Sequence, residues 1–489
     1  MNWPILITLI LYLVLLLGIG LYFYRRHDTL EGYLLGGRGL GAWVTAFSAQ
    51  ASDMSGWLLM GLPGAVYLHG MPDAWIAVGL LIGTYLNWRL VAARLRVYTQ
   101  KTDSITLPCF FEQRFGDPTG LLRSVSAILI LVFFTIYTSS GMVAAGKLFE
   151  STFGIPYPIA VLVGGSIVIA YTFLGGYLAV CWTDMFQGLL MVFAVVIIPT
   201  LAFRQSGGTR AIHDAMAAKG LTFSLIPTSS PFSVLAMIST LAWGLGYCGQ
   251  PHILARFMSV QSLRKLRQSR RIAMAWVVIS LLGAVAIGLI GIAMFDHLAD
   301  GEEEKVFIYM IREVCHPWLQ GVILAAVLSA IMSTIDSQLL VSASALSQDL
   351  YCKVVKKEAS QRKIVLLGRA CVVVISVIAV VLALPRVNLI LQIVAYAWGG
   401  FGASLGPVVL FALFSRRTTW ISALAGMVTG AVVLWVWKVT GMGERLYEIV
   451  PGFAANCLVI WAVNGFHRQR DSYIIQQYDE VVTESGFVG

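Results

Sequence analysis

Runs of about twenty apolar residues, the length that crosses a bilayer's hydrocarbon core as a helix, recur from one end of this chain to the other. In lipid only helices and closed barrels satisfy their own backbone polar groups, so continuous runs of this length dictate a helical bundle. Thirteen cores can be drawn: 4–24, 40–67, 74–95, 122–149, 157–177, 184–203, 231–255, 272–296, 318–347, 364–384, 388–414, 420–438 and 447–466. The chain is 58% hydrophobic and only 12% charged, against about 45–50% and 25% in soluble domains. That balance excludes a disordered chain and a nucleic-acid binder, and it leaves the net charge of +9 to loops at a membrane surface.

The basic residues give an orientation. The run 5–24 is longer than the roughly 7–15 residues of a signal-peptide core; no Lys or Arg precedes it, and Arg25 and Arg26 follow it. It is therefore expected to be a retained first helix that starts outside. Alternating the spans from there gathers Arg38, Arg89, Arg94, Arg96, Lys101, Arg114, Arg123, Arg256, Arg264, Lys265, Arg267, Arg270, Arg271, Arg416 and Arg417 on the cytoplasmic side. Lys147, Lys305 and the acidic cluster Asp300–Glu304 fall outside. An odd number of spans puts the C-terminus inside, where residues 467–489 read as a loosely ordered polar tail.

Nothing in the chain reads as a soluble domain or an enzyme. The seven cysteines form no CxxC pair, and the seven histidines are dispersed without nucleophile–base or metal spacing. No nucleic-acid partner and no obligate protein partner is expected; the surroundings are the lipid bilayer. Function must lie inside the bundle.

Two spans are interrupted. The second carries Ala51-Ser-Asp-Met-Ser-Gly-Trp57, followed by Gly61, Pro63 and Gly64. The seventh carries Trp243-Gly-Leu-Gly-Tyr-Cys-Gly-Gln-Pro251. They lie five spans apart and so run in opposite directions. Broken helices at corresponding places in two inverted halves point to a secondary transporter's midplane site. Spans two to six and seven to eleven would form the repeats (40–203 and 231–414), with 4–24 and 420–466 peripheral, all in a single transporter domain. Unwinding releases carbonyls suited to Na⁺ and N–H groups suited to a carboxylate. In span nine, Ala330, Ser333, Thr334 and Ser337 share one helix face. Two adjacent hydroxyls there offer a partial cage for Na⁺, or else bond back to their own i−4 carbonyls and serve packing.

At this point the chain resembles the sodium/solute symporter family, and within it the proline carriers. The family pattern is Gly175-Gly-Tyr-Leu-Ala-Val-Cys-Trp-Thr-Asp184 with Met332-Ser-Thr334. Closer to the proline carriers are Leu35–Gly41, Ala51–Val66, Trp243–Phe257 and Leu446–Gly452. The resemblance implies an all-α polytopic protein of 13 transmembrane helices with a leucine-transporter-type 5+5 inverted-repeat core, in the bacterial inner membrane. It implies sodium-coupled symport of L-proline; a related solute (pantothenate, another amino acid or a sugar) and a transporter-derived sensor are the alternatives. By position, the sodium ligands would be the carbonyls of Ala51, Met54 and Ala330 and the hydroxyls of Ser333 and Thr334. Ser55, Gly56, Trp57, Tyr137, Trp243, Tyr247 and Pro251 would surround the substrate. Asp53 matches a carboxylate that proline carriers need for sodium-dependent transport. Asp184, Asp336 and Ser337 are candidates for a second cation or for the inner gate, and Arg38 for a gate pairing or plain topology.

Overall fold

In the computed structural model, residues 2–24, 32, 35–174, 176–226, 234–355, 361–385, 389–467, 469 and 471–486 are described. Gly175 of the family pattern, with Arg25 and Arg26, lies outside them. The described residues are helical almost throughout, in the order α1 (Trp3–Tyr24), α2 (Ala42–Asp53), α3 (Leu62–His69), α4 (Ala74–Leu86), α5 (Ala92–Lys101), α6 (Leu107–Phe115), α7 (Leu121–Phe153), α8 (Tyr157–Leu174), α9 (Tyr177–Gln205), α10 (Gly208–Ala218) and α11 (Val234–Leu241). There follow α12 (Pro251–Ser259), α13 (Leu263–Met294), α14 (Val306–Val314), α15 (Pro317–Ser344), α16 (Gln361–Ala383), α17 (Ile390–Ser404), α18 (Gly406–Phe414), α19 (Trp420–Val439), α20 (Ile449–Phe466) and α21 (Ser472–Ser485).

Ten helical stretches among the described residues are long and apolar enough to cross a membrane, from Trp3–Tyr22 to Ile449–Phe466. The protein is a multi-pass membrane protein. The expected spans missing from those ten are the two interrupted ones and the short apolar helix beginning at Tyr157. The close pair in the sequence resolves into two helices, α8 and α9, because α9 starts at Tyr177. Asp184 therefore lies two turns inside α9 instead of at its start. A third interruption appears where one continuous span, 388–414, was expected: α17 ends at Ser404 and α18 restarts at Gly406-Pro407. Proline has no N–H to continue the ladder, and it opens the new helix at an N-terminal position.

Burial follows from position in the bundle. Helix α15 is buried nearly from end to end, whereas α1, α16 and α20 keep large apolar side chains exposed, as lipid-facing helices do. The polar connections 204–229 and 297–317 are not plain loops; they contain the amphipathic helices α10 and α14, whose Ile212, Met216, Phe307 and Ile311 are buried.

The tail departs from expectation. Residues 472–485 form α21, capped by Asp471, whose carboxylate accepts from the Tyr473 N–H at 2.9 Å. Its Ile474, Tyr478 and Val481 are buried. Lys101 bridges to Glu480 at 2.9 Å and to Glu484 at 2.6 Å, Arg416 pairs with Asp479 at 2.6 Å, and the Arg114 guanidinium sits over the Tyr478 ring. An i, i+4, i+7 apolar stripe buried against basic neighbours orders the segment.

Candidate functional site

The break in the second span is built by a local change of hydrogen-bond partners. The Ser55 N–H turns to the Asp53 carbonyl at 3.0 Å, and the Leu58 N–H turns to Ser55 at 3.0 Å. In an unbroken helix these donors would go to Ala51 and Met54, so those two carbonyls are released. Met54 leaves the helical region with φ −85° and ψ 82°. The chain resumes as a π-wound turn, Trp57–Gly61, and then α3. The second break, Ala242–Gly249, is wound as a 3₁₀ helix and closes at Gln250, which is extended before Pro251 opens α12.

The released Ala51 carbonyl faces α15. Ser333 Oγ donates to it at 2.7 Å, and Thr334 Oγ1 lies 3.4 Å from it. The same hydroxyls reach back to Ala330 O at 3.4 and 3.2 Å, and Ser333 also to Ser329 O at 2.9 Å. The hydroxyls therefore back-bond within α15 and also face the released carbonyl across the helix gap. Ala51, Met54, Ala330, Ser333 and Thr334 are all buried. Two carbonyls and two hydroxyls gathered in this way form a hard-oxygen donor set of the kind that binds an alkali cation.

Asp53 does something different. Its carboxylate accepts the Tyr247 hydroxyl at 2.7 Å, which joins the first break to the second. Its main-chain carbonyl accepts the Trp57 indole N–H at 3.1 Å and faces the Tyr137 hydroxyl at 3.5 Å. One residue thereby holds the unwound backbone to α7 and to the 3₁₀ segment. Ser55 receives the Trp57 N–H on its hydroxyl at 3.4 Å. Gly56 lets α7 come close, since a Cβ there would lie 2.8 Å from Ala144 Cβ.

The aromatic residues expected around a substrate are placed unevenly. Tyr137 and Tyr247 meet at Asp53. Tyr247 also meets Trp398 edge-on at 5.0 Å, and Trp398 donates its indole N–H to the Trp243 carbonyl at 2.7 Å. The Trp243 ring packs on Tyr447 at 5.7 Å, toward the side of the 3₁₀ segment where Leu446–Gly452 approaches. Pro251 lines a separate cleft with Leu35, Ile105, Tyr177, Met258 and Leu340.

Below the cage, one buried guanidinium joins four helices. Arg256 of α12 donates to Ser48 Oγ of α2 at 3.0 Å, to Asp184 Oδ2 of α9 at 3.1 Å, and to Ser337 Oγ of α15 at 2.5 Å. Ser48 also donates to Asp184 at 2.6 Å. Arg256 was expected among the loop charges; it is wholly buried. The cost of an unpaired buried charge explains the full partner set. Its signal in the sequence is its place inside the apolar stretch Ile253–Met258, one turn past His252. Asp184 is thus an ion-pair member, and Ser337 its neighbour. Asp336, beside them in sequence, turns away and bonds to Thr172 of α8.

Arg38 meets backbone carbonyls: Met258 at 3.1 Å, Thr99 at 3.1 Å and Ser104 at 2.9 Å. Next to it, Leu40 pairs with Val260 in a short parallel bridge, which ties the start of α2 to the end of α12. At the opposite end, Glu304 accepts Lys147 Nζ at 2.5 Å and caps α17 through the N–H groups of Ile390 and Leu391, at 2.9 and 3.1 Å. That carboxylate comes from the acidic cluster expected on the outer side.

The model of the sodium:solute symporter family matches residues 33–430. The chain is 46% identical over 469 residues to a high-affinity proline transporter, PutP, of Bacillus subtilis (strain 168), covering 95% of this chain and 98% of that one. It is 47% identical over 468 residues to a sodium/proline symporter of Escherichia coli (strain K12), covering 92% and 91%. Among solved structures, a Na⁺-coupled sialic acid symporter in a substrate-bound outward-open state superposes with a TM-score of 0.80 at 18% identity, covering 96% of this chain and 99% of that one. The MhsT–L-phenylalanine complex superposes at 0.55 with 13% identity, covering 91% and 98%. With the family model spanning most of its length, the chain belongs to the sodium:solute symporter family.

Proposed function

We propose that this protein takes L-proline into the cell together with Na⁺, by alternating access. The observation that carries the reading is the convergence of Ser333 and Thr334 on a carbonyl that only the break in the second span releases. Relatives at 46–47% identity, described as a proline transporter and a sodium/proline symporter, supply the substrate. On this reading Na⁺ is cargo, held by the carbonyls of Ala51, Met54 and Ala330 and the hydroxyls of Ser333 and Thr334. Proline sits at the break, its carboxylate toward the N–H groups near Ser55 and Gly56. Trp57, Tyr137, Trp243 and Tyr247 wall its ring, since aromatic faces suit a small apolar ring bearing an ammonium, while Pro251 faces a separate cleft and takes no part in the wall.

Ordering the break around Na⁺ completes the solute site, so each ligand stabilises the other by the same free energy. Inward movement of one charge down the membrane potential supplies about 2.3 kcal/mol per 100 mV. One sodium suffices here, because the Asp184 carboxylate has Arg256 as its cation. Arg38 and Arg256 then act in closing the inner gate, with Asp336 and Ser337 as structural neighbours.

The spans broken at Met54 and at Ala242–Gly249 and the helix from Tyr157 join the other ten in thirteen crossings, with two inverted five-helix repeats and the start of the chain outside. The end carrying Arg38, Arg89 and Arg416 is cytoplasmic, and the membrane is the bacterial inner membrane. Uptake of radiolabelled L-proline into proteoliposomes, with gradients of Na⁺, Li⁺, K⁺ or H⁺ imposed separately, tests the proposal. Acceleration by Na⁺ is expected. Uptake indifferent to every cation gradient would overturn the coupling, and failure of proline where another solute succeeds would overturn only the substrate.

A further inference from the structure

Two clefts outside the proposed ion and solute sites meet at Leu90. The first opens at the basic end of the bundle, encloses about 40 Å³, and is lined by Arg89, Arg94, Arg267 and Arg270 with Trp88 and Phe414. The second runs up the lipid-facing side of α4, the 3₁₀ segment and α18; Ile82, Leu86, Leu241, Leu245, Leu410 and Phe453 are among its walls. Leu90 lines both. A concentrated positive charge at the bilayer surface thus continues into an apolar groove at acyl-chain depth.

Among the described residues, no acidic side chain pairs with Arg89, Arg267 or Arg270. Arg89, Arg267 and Arg271 all repel the Arg270 guanidinium. Arg94 is spent on the Leu413 carbonyl at 2.8 Å and on the Phe414 ring at 4.3 Å, which steadies one wall. Among the described residues the buried Trp88 indole N–H has no partner. Repelling guanidinium groups beside an unused donor suit a phosphodiester, which guanidinium groups bind bidentately.

We propose that this composite cleft binds one anionic phospholipid, with its phosphodiester among Arg89, Arg267 and Arg270 and one acyl chain in the groove past Leu90. A free phosphate would use the first cleft alone and leave the groove without a role; the continuity of the two selects the lipid. The groove wall includes Leu241, Gly244, Leu245 and Cys248, so the acyl chain lies against the second helix break itself. The lipid therefore supports the element that carries Trp243 and Tyr247.

The full-length protein is purified and exposed to vesicles of phosphatidylcholine alone or mixed with phosphatidylglycerol, and the retained lipid is counted by native mass spectrometry. One retained phosphatidylglycerol is expected. Each basic residue near the surface contributes about fivefold, so Arg89→Gln/Arg270→Gln lowers retention about 30-fold. Arg89→Lys/Arg270→Lys, which keeps the charge without the bidentate fork, loses less than the Gln pair, and Arg264→Gln/Lys265→Gln, an equal charge loss outside the cleft, leaves retention unchanged. Equal retention in the Gln variant and its control overturns the proposal. Inorganic phosphate that occupies the cleft with no lipid retained overturns the lipid in favour of a free anion. Because the readout is lipid mass, it stands or falls apart from proline and sodium; sodium-driven uptake that falls in parallel adds the functional link.

Discussion

Removing the Thr334 hydroxyl separates ion binding from folding more cleanly than any other change in the cage. Its two contacts are long, 3.2 Å back to Ala330 O on its own helix and 3.4 Å across the gap to Ala51 O, while the corresponding contacts of Ser333, to Ser329 O and Ala51 O, are short at 2.9 and 2.7 Å. Losing such long bonds costs the fold less than about 1 kcal/mol, and the deleted methyl adds about 0.8 kcal/mol. An oxygen facing a full charge contributes more, about 1.5–3 kcal/mol, or roughly 10- to 150-fold in an equilibrium constant. Thr334→Ala should therefore raise the sodium concentration for half-maximal proline uptake by one to two orders of magnitude. Proline affinity measured at saturating sodium should change little, and Thr334→Ser should restore most of the loss. The assay is initial uptake into proteoliposomes across a sodium series, with proline binding measured in parallel. An unchanged sodium requirement, or equal damage to proline affinity at saturating sodium, would refute the assignment of this hydroxyl to the cage.

Three other outcomes are expected. Arg256→Gln leaves Asp184 buried without a cation and should destabilise the protein by about 3–5 kcal/mol, whereas Arg256→Gln/Asp184→Asn should recover much of it; thermal unfolding in detergent compares the two. Gly83→Val places a Cβ within 2.3 Å of the Gly244 carbonyl and should lower stability by about 1–3 kcal/mol or more, while Gly18→Val, whose Cβ meets nothing within 4 Å, should be silent by the same measurement. In α21, the Lys101 ammonium holds the Glu480 carboxyl below its usual value. That attachment is in force above the ordinary carboxylate range and is lost as pH falls through Glu480's lowered value, so hydrogen exchange over 472–485 should quicken on acidification and in high salt.

Both breaks could be read from composition, because glycine, proline and serine crowd into apolar runs that otherwise have no reason to hold them. Ala330, Ser333 and Thr334 were legible from helical spacing alone as one face, although only the fold reveals that Ala51 meets that face. The break at Leu405 was signalled by Gly406-Pro407 and passed over, since the run around it is long enough for one span. Arg256 was hidden by its charge: loop arginines and a buried one look alike until the partners from α2, α9 and α15 are placed around it. The tail's order was present as the spacing of Ile474, Tyr478 and Val481, but its docking depends on Lys101, Arg114 and Arg416, which lie far away in sequence. What the sequence could not convey was consistently the identity of the opposing surface.

The contact between α4 and the second break bears on rate as well as on stability. A Cβ at Gly79 would strike Leu241 O at 2.4 Å, and one at Gly83 would strike Gly244 O at 2.3 Å. Backbone lies directly on backbone there. Helices locked by interdigitating side chains must exchange rotamers, one ridge at a time, before they can shift past each other. Gly79 and Gly83 present no such ridge to the segment bearing Trp243 and Tyr247, so a side chain added at either would obstruct its displacement along α4 as well as lower stability.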